Sequence, residues 1–185
     1  MSLTPAEAQT ALKDIEKTES RTAASQHARF SAPFLIMWGI VWVIGYSVTA
    51  TAPQLSWIWA TLIIGGAVGS MILGSQQART FGRANGDGWR YIGSFGVIAM
   101  FLTALLSIMK PLDYNQVSAI FPLIIGIFYA FIGLWTKGWR MLPLGIALIG
   151  LTTLGYFMLP DYFTYWMAGV GGGGLIVGGL WLRSA

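Results

Sequence analysis

Three kinds of side chain in this sequence could do chemistry: ionisable groups, methionines, and hydroxyl or aromatic groups at helical spacing. The ionisable ones do little. The single histidine, His27, closes a polar N-terminal stretch, and Asp87 stands between two glycines in a polar segment. A proton relay, a Ser–His hydrolase or a carboxylate pair inside a membrane needs titratable groups at depth. No Asp, Glu, Lys, Arg or His falls inside any of the six apolar runs of the chain. The absence of cysteine removes disulfides, thiolate metal sites and thiol catalysis. Met109, Met158 and Met167 would gather near one membrane face, as Cu(I) ligands do, but without His or Cys beside them they read as gap-filling side chains. No catalytic residue, metal site or cofactor is predicted, and the protein is expected not to be an enzyme.

The uncharged groups are more informative. Trp38, Trp42 and Tyr46 recur at i, i+4 and i+8, one helical face in the middle of an apolar run. Ser47, Thr61, Thr103, Ser107, Thr152, Thr153 and Thr164 map to the outer half of the membrane. The aromatic wall, with Thr103, Ser107, Thr152 and Thr153, is therefore the expected lining of a shallow, outward-facing pocket for an uncharged or amphipathic molecule. The competing explanation is plain packing for the rings and back-bonding to carbonyls for the hydroxyls.

Glycine is abundant, at 24 residues. The spacings Gly65-x-x-x-Gly69, Gly169-x-x-x-Gly173 and Gly174-x-x-x-Gly178 predict close helix packing or an oligomer interface. Gly171 to Gly174 are not a phosphate loop, since no strand precedes them and no Lys or Thr follows.

The elements that must hold these groups are membrane helices. With 55% apolar and 10% charged residues, the 185-residue chain lies far from a soluble composition of roughly 25% charged. Phe30 to Ala50 is long enough to cross a bilayer core of about 30 Å. Further spans are expected over about 55–74, 91–109, 117–135, 141–159 and 162–182, giving an all-α six-helix transmembrane domain over 30–185. Residues 1–29 are expected to form a cytoplasmic amphipathic helix from Pro5, with Thr4 and Glu7 as a capping box, lying against the protein's own cytoplasmic face or docking a partner.

With that N-terminus inside, ten basic residues (13, 17, 21, 29, 79, 83, 90, 137, 140 and 183) are cytoplasmic and only Lys110 is external. The asymmetry predicts both termini inside, in a bacterial inner membrane. Basic loops of this kind select topology and imply no nucleic acid. Ser31-Ala32 and Ser118-Ala119, each followed at eight residues by Gly39-Ile40 and Gly126-Ile127, raise a weak 3+3 inverted repeat. The functional expectation is a non-enzymatic module that binds or passes a small uncharged or amphipathic molecule or lipid. Its alternative is a regulatory or assembly subunit acting through helix contacts and its N-terminal helix. Membrane lipids, a second copy or a partner membrane protein are the expected company.

Overall fold

The computed structural model describes residues 5–80, 88–109, 113–135 and 140–184, and among them every regular element is helical. Thr4, Asp87, Lys110 and Lys137 lie outside the described residues. The elements are α1 (Pro5–Thr51), α2 (Ile58–Thr80), α3 (Gly88–Ile108), α4 (Tyr114–Trp135) and α5 (Met141–Met158). The last segment is α6 (Phe163–Trp166), a π-helical turn (Met167–Gly172) and α7 (Gly173–Arg183). Five stretches are long and apolar enough to cross a bilayer: Arg29–Thr51, Ile58–Gln77, Tyr114–Trp135, Met141–Met158 and Pro160–Arg183. The apolar part of α3 is Gly96–Ile108. Large apolar side chains such as Ile64, Phe131, Phe157 and Val177 are exposed, as befits a multi-pass membrane protein whose outer surface meets lipid.

The first helix departs from expectation. The polar N-terminal stretch and the first apolar run form a single helix of 47 residues, about 70 Å long, with Pro33 inside it. Proline there removes one main-chain donor without ending the helix. What ends α1 is Pro53, whose ring drives the preceding residue out of the helical region: Ala52 has φ −143° and ψ 72°. Leu159 before Pro160 does the same at the end of α5, with φ −133° and ψ 51°. Each break leads into a short 3-10 turn, Pro53–Leu55 and Pro160–Tyr162. The start of α4 is fixed by a reciprocal cap. Asp113 Oδ1 accepts from the Gln116 N–H at 2.6 Å, and Gln116 Oε1 accepts from the Asp113 N–H at 3.1 Å.

Two antiparallel pairs, α1 with α7 and α4 with α5, make the heart of the bundle, and each closes on a glycine-to-glycine crossing. A methyl group built on Gly39 would lie 2.8 Å from the Gly172 carbonyl oxygen, and one built on Gly172 would lie 3.0 Å from that of Gly39. Gly126 and Gly145 face each other in the same reciprocal way. Backbones this close exchange Cα–H···O contacts that any side chain would abolish. Gly179 repeats the approach against the Ala32 carbonyl, at 2.9 Å.

The glycines singled out by spacing divide within the chain. Gly69 meets Met37 and Gly178 meets Leu144, but Gly65, Gly169, Gly173 and Gly174 have nothing within 4 Å. On the last segment it is Gly172, the final residue of the π turn, and Gly179, seven residues on, that face α1.

The helix α2 lies along a flank of α1, with Gly66 under the Trp38 ring and Trp59 over Gly45. Its far end is tied by Gln77 Nε2, which donates to the Phe30 carbonyl at 3.1 Å. The first turn of α4 sits at the opposite end of α1, where Asn115 Nδ2 donates to the Pro160 carbonyl at 2.9 Å. Between these two anchors the chain runs through α3, whose Gly93 and Gly96 have open space around them and whose Val97, Met100, Phe101 and Ile108 are exposed.

Candidate functional site

The three rings of the aromatic face of α1 turn to different neighbours. Successive positions four apart turn by about 40° on an α-helix, so three such rings reach different neighbours. Trp38 looks toward α2, where its Nε1–H donates to Ser70 Oγ at 3.2 Å. Trp42 is 4% exposed, packs beside Gly171 of the π turn and meets Tyr46 edge-on with ring centroids 6.0 Å apart. Tyr46, 3% exposed, reaches α4. Its hydroxyl donates to the Ser118 carbonyl at 2.9 Å, and its ring meets Trp59 edge-on at 4.9 Å. Trp59 in turn donates to Thr49 Oγ1 at 3.0 Å, and Thr49 donates to the Gly45 carbonyl at 2.8 Å. The result is a core of interlocked rings with their polar atoms paired.

The tyrosine contact has a specific cause. Pro122 has no N–H, so the carbonyl four residues earlier, that of Ser118, has no helical donor. Tyr46 supplies the missing hydrogen bond from another helix. Neither Ser118 nor Pro122 was among the expected site residues. A proline inside an apolar run was the available signal, since it announces an orphaned carbonyl one turn earlier.

The hydroxyls expected to converge mostly stay on their own helices. Thr103 donates to the Ala99 carbonyl at 2.8 Å, Ser107 to that of Thr103 at 2.7 Å and Thr153 to that of Ile149 at 2.9 Å, and all three are exposed. Thr103 and Ser107 stand on α3, away from the aromatic core. Thr152 alone of the four is buried, at 1% exposure, and its hydroxyl has no hydrogen-bond partner.

Helix registers locate Thr152. Gly126 faces Gly145 and Ile149, and Gly133 faces Leu142, which sets Thr152 level with Pro122. The Trp166 ring on Gly155 and Leu144 on Gly178 set it beside the π turn. Leu148, one turn earlier on the same buried face of α5, packs in the cluster that holds Tyr46, Phe163 and Met167. The structure thus brings Trp42, Tyr46 and Thr152 to one level of the core and leaves Thr103, Ser107 and Thr153 outside it.

At the other end of the bundle Arg140 Nη1 donates to the Trp181 carbonyl at 2.9 Å, and its guanidinium lies 5.1 Å from the Trp181 ring centroid. A cation at the last turn of α7 complements the negative end of the helix dipole. Among the described residues no three His, Asp or Glu side chains gather as metal ligands would. No family model, no curated protein and no solved structure matches the chain.

Proposed function

We propose that the chain is a six-span protein of a bacterial inner membrane, both termini cytoplasmic, that works as a non-enzymatic regulatory or assembly subunit. Two features support six spans. Gln77 is tied to Phe30 at the start of the apolar run of α1, while Ser118 is tied to Tyr46 toward the end of that run, so the chain between them would traverse the bundle. The 21-residue α3 is long enough to do so, at about 31 Å. The basic residues of the sequence then fall almost entirely on the side of the termini. The suggested repeat is supported only locally. Its matched glycines, Gly39 and Gly126, each make a glycine crossing, but with Gly172 and Gly145, in the sixth and fifth spans. A 3+3 relation would pair the fourth span with the third.

The observation that carries the functional reading is α1. It is the helix against which α2, α6, the π turn and α7 all pack, and it continues without interruption to Pro5, well beyond the apolar run that starts near Arg29. Gln9, Asp14 and Thr18 on that extension are exposed. A polar helix rigidly joined to the membrane core presents a surface to a cytoplasmic protein. A photo-crosslinking residue at Gln9, Asp14 or Thr18 is expected to trap a second protein in cells. A folded, inserted protein that yields no adduct from any of the three positions would overturn the reading. Binding of an uncharged small molecule remains as the second reading, favoured by the unpaired hydroxyl of Thr152.

A further inference from the structure

We infer that Thr152 marks a binding site for one uncharged hydroxyl group, the size of a water molecule, between α5, the Pro122 region of α4 and the π turn. The inference rests on the buried hydroxyl and on the two interrupted helices beside it, not on the cytoplasmic role of α1. Helical threonines in a membrane usually donate to the carbonyl one turn earlier, as Thr49, Thr51, Thr103 and Thr153 do here. Thr152 does not, although it is among the most deeply buried side chains of the protein. A hydroxyl held away from water without a partner is unfavourable, and such groups are where buried waters are found, each bridging about three polar atoms.

The partners for a bridge are main-chain carbonyls, and both neighbouring elements turn carbonyls out of the regular ladder at this level. Pro122 withholds its N–H from Ser118, whose carbonyl oxygen keeps a second lone pair after accepting from Tyr46. Across from it, the π turn departs from i→i−4 bonding: the Gly173 N–H is shared between the Ala168 and Val170 carbonyls. A proline and a π turn at the depth of an unpaired threonine interrupt the regular main-chain ladder beside a hydroxyl that can itself donate to a guest and accept from it. A charged guest is disfavoured, because the neighbouring cluster, with Phe163, Met167 and Leu148, is apolar or aromatic and the apolar runs of the sequence carry no Asp, Glu, Lys, Arg or His to neutralise a charge. The hydroxyl belongs either to water or to a small solute such as an alcohol.

The test compares Thr152→Val with Thr152→Ser in the full-length detergent-solubilised protein, and adds a high-resolution structure of the wild type prepared without added solute. With a bound hydroxyl, Thr152→Val melts below wild type, Thr152→Ser stays close to it, and density for an ordered atom lies within hydrogen-bond distance of Thr152 Oγ1. Density in the solute-free preparation assigns the guest as water; density that appears only when glycerol is added assigns a solute. A Thr152→Val protein that melts at or above wild type overturns the site. Should that variant fail to fold, the wild-type density decides: no ordered atom at Thr152 Oγ1 with or without glycerol also overturns it.

Discussion

The hydroxyl of Tyr46 donates at 2.9 Å to the Ser118 carbonyl, the one acceptor in α4 that Pro122 leaves without a main-chain donor. A defect in one helix is thereby repaired by a side chain of another, and the two glycine-locked pairs are stitched together at that point. Tyr46→Phe should cost about 1–3 kcal/mol, because it strands a buried carbonyl and does not merely delete a bond. Pro122→Ala restores the N–H, so the same tyrosine change should cost markedly less in that background. Equilibrium unfolding of the four proteins of this cycle measures the coupling. Equal costs in both backgrounds would show that the two residues act independently.

The aromatic core gives a second expectation. Trp42 is enclosed by Tyr46 and the π turn, so Trp42→Ala should destabilise the protein by about 3–5 kcal/mol, the range for an aromatic removed from a tight core. Thermal unfolding with and without added lipid extract is the measurement. A small loss together with an extract-dependent shift would restore the open aromatic wall.

Glycine register makes a third prediction, and it discriminates between adjacent residues. Gly172→Leu would drive its side chain into the backbone of α1, since a methyl there already lies 2.7 Å from the Val43 nitrogen. Little folded protein is expected. Gly173→Leu points into open space and should fold like wild type, or slightly better, because glycine disfavours a helix interior by up to about 1 kcal/mol. Monodispersity on size exclusion reads both, and the opposite ranking would mean that the π turn is not where the structure places it.

Orientation supplies the fourth. Cysteines introduced at Gln9 and Ser184 should react with a membrane-impermeant maleimide only from the cytoplasmic side, and one at Gln54 only from the periplasmic side. Labelling of Gln9 and Gln54 from the same side would break the proposed topology.

These particulars show what a sequence exposes and what it hides. Hydrophobic runs located the helices well because lipid demands about twenty apolar residues per crossing whatever the packing. Boundaries set by local chemistry were less visible. The Asp113–Gln116 cap starts α4 three residues before the apolar run that announced it. The change from charged to apolar residues near Phe30 marks where lipid begins and not where a helix ends, so α1 passes through it. Glycine spacing was less informative: it names residues that share a helix face and does not say which face meets another helix, so Gly69 and Gly178 find neighbours within the chain while Gly65 and Gly173 do not. The paired hydroxyls of Thr103, Ser107 and Thr153 looked the same in sequence as the unpaired one of Thr152, because the difference lies in which face of its helix is buried.

The length of α1 has a mechanical consequence. From the Gly39–Gly172 crossing to Pro5 the helix runs 34 residues, roughly 51 Å. Pivoting by about 10° at that crossing would sweep the N-terminal tip of α1 through roughly 9 Å, while side chains a single turn from the pivot moved by about 1 Å. On such a pivot, a rearrangement of about 1 Å among Trp42, Tyr46 and the π turn would correspond to a displacement roughly nine times larger at the far end of the same rod.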